Sequence, residues 1–315
     1  MPQVLITGGN GFIGRAVKRF LRNKYPDWTI RSLDLTALGA DVDADGIEHH
    51  AGTILDLDDV SRAMRGCDTV VHLAAQLGVQ RTEAAPLRCL NVNIHGTINI
   101  LEGCVKERVK RIVFSSSSEV YGDTADRAIS ETAFVSPRSV YATSKLAGEY
   151  YVQAYLNRYG LEYTILRFFN VYGPGQITEF VIPRFVDAVS RGEPPVVYGT
   201  GEQVRAFCHV NDAAQGVASA LVSPRAANEV FNIGNHREPI CMKDLAAKVV
   251  ELSGNGVAPR FVPMTESDRM PGREIFRRLP DIGKAAQTLH YEPAVSLTEG
   301  LRELLAQAKE RRSSS

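Results

Sequence analysis

The 315-residue sequence predicts an α/β fold: a doubly wound parallel sheet, then a smaller mixed α/β C-terminal domain. Three observations predict it. Short apolar runs alternate with stretches at helical spacing from Val4 to Phe169, the pattern of right-handed βαβ units. A glycine-rich turn, Gly8-Gly9-Asn10-Gly11-Phe12-Ile13-Gly14, separates the first run from the first helical stretch. The residues with chemistry to offer gather at the far ends of the runs: Gly8, Asp34, His72-Leu73-Ala74-Ala75, Ser115-Ser116-Ser117-Ser118 and Phe168-Phe169-Asn170-Val171. Those ends share one crevice in an open parallel sheet, and ligands bind there.

Each element follows from its residues. Val4-Leu5-Ile6-Thr7 is a short apolar run bounded by glycine, which reads as a buried strand. Without a Cβ, Gly8 can make the tight turn and Gly11 lets backbone N–H groups approach a pyrophosphate. Gly14 lets the next helix pack close on the sheet, and the helix N-terminus adds positive potential for phosphate. Asp34 lies twenty residues past Gly14, at the end of the second strand. A carboxylate there accepts from ribose hydroxyls and repels a 2′-phosphate, which favours NAD over NADP. The five strands of this half are expected at 4–7, 29–33, 69–73, 111–114 and 163–167. Small Ala74 and Ala75 let a cofactor lie on the backbone, and His72 beside them reads as a satisfied structural histidine.

After Asn170 the alternation breaks. Gly173-Pro174-Gly175 is a turn; helices are expected at 182–191, 211–221, 242–252 and 297–308, and strands at 204–209 and 229–233. The expected division is a dinucleotide domain over 1–170, with part of 204–232 returning to it, and a substrate domain over 171–315. The site should lie in the cleft between them.

Composition narrows the class. Lys+Arg number 36 and Asp+Glu 36, so no electrostatic grip on nucleic acid or anionic membrane is expected. No apolar run approaches a membrane span, and Met1 leads straight to a strand with no signal peptide expected. Five cysteines, none paired as C-x-x-C, read as reduced and mostly buried thiols of a cytoplasmic protein, without a metal site. The tail at 311–315 is expected to fray.

The chemistry sits in two stretches. Tyr141-Ala142-Thr143-Ser144-Lys145 opens a helix expected over 141–159, and positions i and i+4 share a face. The Tyr hydroxyl and Lys ammonium then point the same way. A nearby ammonium favours phenolate, bringing a group of pKa about 10 toward the range of a working base. The other stretch, Phe114-Ser115-Ser116-Ser117-Ser118-Glu119-Val120-Tyr121-Gly122, places hydroxyls at a strand mouth beside that oxygen.

On these segments the chain resembles the extended short-chain dehydrogenase/reductases, the NAD-dependent nucleotide-sugar epimerase/dehydratase family. Asn93-Ile94-His95-Gly96-Thr97, Phe168-Phe169-Asn170-Val171-Tyr172-Gly173-Pro174 and Gly201-Glu202-Gln203-Val204-Arg205 extend the likeness over essentially the whole length. The resemblance implies a Rossmann fold and NAD held by Gly8, Gly11, Phe12, Ile13, Asp34, Ile54, Leu73, Ala74, Ala75, Asn93, Ser115, Tyr141, Lys145 and Phe168. It implies Tyr141 as base, Lys145 lowering its pKa, Ser117 bridging substrate and tyrosine, and Glu119 as a further catalytic candidate. Ser117, Ser118, Asn170, Arg205, Arg273 and Arg278 would bind a nucleotide-diphosphate sugar, an Arg fork suiting phosphate oxygens. Helices over 87–101 and 140–156 carry apolar faces that packing on the sheet could explain; in this family such helices commonly form a dimer interface, so the resemblance implies a homodimer.

The branch expected is a 4-epimerase of UDP-hexose type. Glu119 keeps a 4,6-dehydratase or UDP-glucuronate decarboxylase open, because a carboxylate there can remove a C5 proton. Ser118 replaces the dehydratase acid, and Gly175 stands where decarboxylases commonly carry Arg. Thr53, Ala206 and Leu77 depart from common family residues. A non-catalytic NAD-binding protein on the same fold is the alternative of another class.

Overall fold

A computed structural model describes residues 1–36, 42–124, 128–266 and 275–313. Six parallel strands carry the first half: β1 (Gln3–Thr7), β2 (Thr29–Asp34), β3 (Glu48–Ala51), β4 (Thr69–His72), β5 (Arg111–Ser117) and β6 (Glu162–Phe168). A seventh, Glu229–Ile233, pairs with β6, and the order across the sheet is Glu229–Ile233, β6, β5, β4, β1, β2, β3. Connections therefore run one way from β1 to β3 and the other way from β4 onward. The switch falls between β1 and β4, the place where a doubly wound sheet leaves a crevice.

Helices cover both faces. Helix α1 (Phe12–Lys24) packs with Val210–Val222 over one face, in a core that includes Val17, Leu21, Val71, Ala214 and Val217. Helix α2 (Leu57–Met64), Gly96–Lys106 and Val140–Tyr159 cover the other, around Leu5, Val60, Ile100, Ile112 and Val152. The later part of the chain forms a third core from Tyr172, Ile182, Phe185, Leu245, Val249, Leu301 and Leu305. A mixed three-stranded sheet accompanies it, with Val204–Ala206 between Pro239–Cys241 and Arg277–Arg278.

The structure corrects the sequence reading in four places. The strand expected over 204–209 is two: Val204–Ala206 joins the small sheet, whereas Cys208–His209 pairs with Val171–Tyr172, so the two halves have different partners. Strand β5 continues to Ser117 because β6 runs alongside and pairs Ser115 with Leu166 and Ser117 with Phe168. Strand β3, Glu-His-His-Ala, is an edge strand whose polar residues carry no apolar signal. The tail is helical through Ser313, with Arg311 and Arg312 in the last turn of Leu297–Ser313, where positive charge suits the helix dipole. All five cysteines are free and buried. Among the described residues no helix is long and apolar enough to cross a membrane, and no cluster could hold a metal ion.

The glycine turn is among the tightest points of the fold. A Cβ on Gly14 would stand 2.2 Å from the Gly8 carbonyl oxygen and 2.7 Å from Gly9 Cα. Gly14→Ala must therefore push α1 away from the turn. The expected loss is about 1–3 kcal/mol of stability, with weaker NAD retention, read by chemical denaturation and by NAD content after gel filtration.

Candidate active site

At the switch point Gly8 adopts φ +69°, and a Cβ there would lie 2.8 Å from Ala74 N, so only glycine lets β1 turn over the end of β4. Gly11 caps α1 with no side-chain hydrogen bond, and a Cβ on it would meet only Gly8 backbone. The N–H groups of α1's first turn therefore have no side-chain cap, and an uncapped helix N-terminus suits a pyrophosphate. Asp34 lies at the rim, accepting from Asn10 N at 2.9 Å and Leu35 N at 2.8 Å. These residues fit a dinucleotide: an uncapped helix end for phosphates, a carboxylate for a ribose, and small Ala74 and Ala75 between.

Other expected cofactor residues are placed differently. Ile54 is buried, its side chain filling the space beside Gly96, where a Cβ would come within 2.4 Å of Ile54 Cδ1. Phe168 is buried in the core, and Phe12, Ile13 and Leu73 pack against it, so their side chains serve the sheet. Asn93 sits in a π-helical turn, Asn91–His95. Its amide oxygen accepts from Gln76 N at 2.7 Å, and its amide nitrogen donates to Gln76 O at 3.0 Å and Ser144 Oγ at 2.9 Å. Ser144 in turn donates to Tyr141 O at 2.7 Å. Asn93 thus staples the first turn of Val140–Tyr159 to the segment at Gln76. His72 is held between Thr7 Oγ1 (2.7 Å) and Thr97 Oγ1 (3.1 Å), and burial, aided by Lys145, pulls its pKa down to about 3. A neutral, bonded imidazole of this kind is structural.

The helix Val140–Tyr159 begins where Ser139 caps it by accepting from Ala142 N at 3.0 Å. Tyr141 and Lys145 project from its first turns toward the end of β5. Lys145 Nζ donates to Ser115 O at 2.8 Å and Ser115 Oγ at 3.3 Å, and lies 6.0 Å from the centroid of the Tyr141 ring. Ser117 Oγ accepts from Glu119 N at 3.2 Å, and its hydroxyl is near enough to the Tyr141 phenol to favour the ionised form. Burial pushes the phenol's pKa up, Glu119 and then Cys89 push it further, and the Ser117 hydroxyl pulls it back. Burial draws Lys145 down to about 8, opposed by Cys89 and Glu149. The expected lowering of the tyrosine pKa by its lysine is therefore outweighed in this state by burial and a neighbouring carboxylate.

Glu119 faces the pair. It accepts from Ser139 Oγ at 3.2 Å, and Arg278 Nη1 lies 3.6 Å from its other oxygen. Three expected substrate residues are otherwise engaged. Ser118 is buried in a short 3₁₀ turn, so its hydroxyl offers a ligand almost no surface. Asn170, with φ +37°, donates to Ala206 O at 3.1 Å and braces the second strand of the site. Arg205 is buried and directs its guanidinium to backbone carbonyls, Val204 O at 2.8 Å, Phe276 O at 3.3 Å and Ile275 O at 2.6 Å. In this rotamer it orders the Arg277–Arg278 strand instead of forking onto phosphate. Arg273 lies outside the described residues. Sequence reasoning missed Ser139 and the buried pair Glu149–Arg167; the signal for Glu149 was its place two turns beyond Tyr141.

A dinucleotide cradle at the switch point, with a Tyr–Lys helix face beside it, defines an α/β enzyme that works on a bound nicotinamide cofactor. Residues 4–234 match the NAD dependent epimerase/dehydratase family. The chain belongs to that family, and NAD is its cofactor. A putative UDP-glucose 4-epimerase of Methanocaldococcus jannaschii is 31% identical over 315 residues, spanning 96% of this chain and 97% of its own. The UDP-N-acetyl-alpha-D-glucosaminuronate decarboxylase of Bacillus cytotoxicus is 32% identical, with 96% of each chain covered. The crystal structure of a Streptomyces venezuelae dTDP-glucose 4,6-dehydratase with NAD bound superposes with a TM-score of 0.88 at 33% identity, covering 99% of this chain and 98% of its own. The family's members thus share nucleotide-sugar chemistry at similar distances from this chain and divide over its outcome.

Glu119 gives a test with a definite sign. Its negative charge disfavours phenolate, so removing that charge lowers the pKa of Tyr141. Glu119→Gln should move the rising limb of the pH–rate profile to lower pH. A residue that instead moves the proton itself would lose turnover by about 10²–10⁴-fold at every pH.

Proposed function

We propose that the enzyme is a cytoplasmic nucleoside-diphosphate-sugar 4-epimerase of the UDP-hexose type. The observation that carries the reading is the site's proton chemistry: Tyr141 beside Lys145 and near the Ser117 hydroxyl, with a buried serine at 118 where dehydration would call for an acid. NAD bound at the glycine turn supplies an acceptor for the C4 hydride and afterwards a donor of it. Tyr141 Oη takes the proton of the sugar's 4-hydroxyl, and Ser117 Oγ aligns that hydroxyl. Lys145 favours the phenolate by its charge. C4 would be inverted when the hydride returns to the other face of the 4-ketose while Tyr141 gives the proton back to its C4 oxygen. Five buried, free thiols agree with a reducing compartment.

A second reading has one observation in its favour: Glu119 faces Tyr141 and is held there by Ser139 and Arg278. A carboxylate so placed is positioned to take a C5 proton, as elimination of water requires. Incubation with a panel of nucleotide sugars, without added cofactor, separates the outcomes by mass and NMR. Unchanged mass with inverted C4 is expected; loss of water or of CO₂ overturns the epimerase reading. Tyr141→Phe should lose about 10²–10⁴-fold in turnover while keeping its NAD, and unchanged turnover would remove Tyr141 from the chemistry.

The homodimer belongs to the same proposal. Leu87 is 80% exposed and Tyr150 62%, large apolar surface on the helical side of the sheet that a second copy would cover. Light scattering should give twice the chain mass, and Leu87→Glu should shift it toward the monomer.

A further inference from the structure

One buried charge pair stands directly behind the catalytic face and has no part in the chemistry above. Glu149 follows Lys145 by one turn and Tyr141 by two on the same helix, and is 2% exposed. Its carboxylate accepts from Arg167 Nε at 2.9 Å and Arg167 Nη2 at 2.6 Å, and from the Ser116 hydroxyl. Arg167, on β6, is itself buried; it donates to Tyr121 Oη at 3.0 Å and Glu131 O at 3.2 Å, with its guanidinium 4.8 Å from the centroid of the Tyr121 ring. Tyr121 passes the chain on to Asn232 Oδ1 at 2.7 Å. Carboxylate and guanidinium are therefore matched on both sides, the condition for keeping ionic groups out of water.

The arrangement has a simple geometry. Two of three consecutive serines at the end of β5 each hold one residue of the helix, Ser115 the Lys145 ammonium and Ser116 the Glu149 carboxylate, and the third, Ser117, lies near the Tyr141 phenol. Ser116 and Arg167 are register partners on β5 and β6, so the clamp ties the helix to two strands at once. We propose that Glu149, clamped by Arg167 and Ser116, is a positioning residue that fixes the helix against the serine run and so aims Tyr141 and Lys145. The assignment rests on the reading of Tyr141 and Lys145 as the catalytic pair. It names a residue that touches neither cofactor nor substrate.

Glu149 also acts on Lys145 through its charge. The titratable groups facing that ammonium are Cys89, from the short helix Pro86–Leu90, His72 at the end of β4, and Tyr141 and Glu149 on its own helix. Burial favours the neutral amine, and Glu149 works against it. Removing the carboxylate therefore lowers the pH at which Lys145 loses its proton.

The experiment uses lysine ¹³Cε-labelled enzyme, with the Lys145 signal assigned by its absence from Lys145→Arg. In the wild type it should titrate near pH 8, and in Glu149→Gln about one unit lower. With UDP-glucose as probe, kcat should fall at least about tenfold with KM little changed, and the Ser116–Arg167 clamp explains that split. If Glu149→Gln fails to fold, the double variant Glu149→Met/Arg167→Met replaces the pair by apolar side chains of similar length, and the same readouts apply. An unshifted Lys145 titration with wild-type kcat in either folded variant overturns the proposal. An active Tyr141→Phe would instead overturn the catalytic reading, whatever Lys145 does, so the two failures are distinguishable.

Discussion

The site depends on how closely one helix approaches one strand. Gly148 faces the Phe114 ring, and a Cβ there would stand 2.4 Å from Phe114 Cζ. That missing methyl sets the distance of Val140–Tyr159 from β5, and the distance in turn decides which side chains of the helix reach the serine run. Interiors are packed as densely as organic crystals, so a shift of one methyl group here would be felt at Tyr141. Ser139 fixes where the helix starts, Asn93 and Ser144 hold its first turn, and the Glu149–Arg167 pair holds its third. The position of Tyr141 is a consequence of packing several residues away.

The second constraint is the crossing at the switch point. Strands β1 and β4 end side by side, and Gly8 turns over Ala74 with no room for a side chain on either approach. The dinucleotide cradle and the Tyr–Lys face therefore open on one edge of one sheet. Later residues return to that edge: Asn170 by bracing Ala206, and Arg278 by lying beside Glu119. Pairing of Glu229–Ile233 with β6 completes the sheet from a segment far along the chain, and so brings the substrate-side elements back to the cofactor side.

Much of this was legible in the sequence, for a physical reason. A positive φ at Gly8, an apolar run at β1 and an i, i+4 pair at Tyr141 and Lys145 are decided within a few residues, so residue type reports them directly. What was not legible depends on partners distant in the chain. Nothing near Arg205 says that its donors will go to Ile275 and Phe276 carbonyls, some seventy residues on. Splitting of the strand over 204–209 follows from two different pairing partners, and β3 from its place beside β2. The packing of Ile54 was not legible either, because an apolar residue near a cofactor cleft and one beneath a helix glycine look alike in sequence.

Electrostatics at the pair runs against its chemistry, and that sets what the surrounding carboxylates can do. Burial favours the neutral form of both groups, phenol at Tyr141 and amine at Lys145. Catalysis calls for the opposite forms, phenolate and ammonium. Glu149 favours the ammonium, while Glu119 opposes the phenolate: each carboxylate holds a proton on its neighbour, Glu149 on Lys145 and Glu119 on Tyr141. Their settings differ as well: Glu149 is sealed between Arg167 and Ser116, whereas Glu119 stands a third exposed beside Arg278. A ligand that draws Arg278 toward its own phosphates would leave Glu119 less compensated and the phenol harder to ionise. The sealed carboxylate keeps its effect whatever occupies the cleft. The Lys145 ammonium is therefore supported from behind the helix, by a carboxylate sealed from solvent.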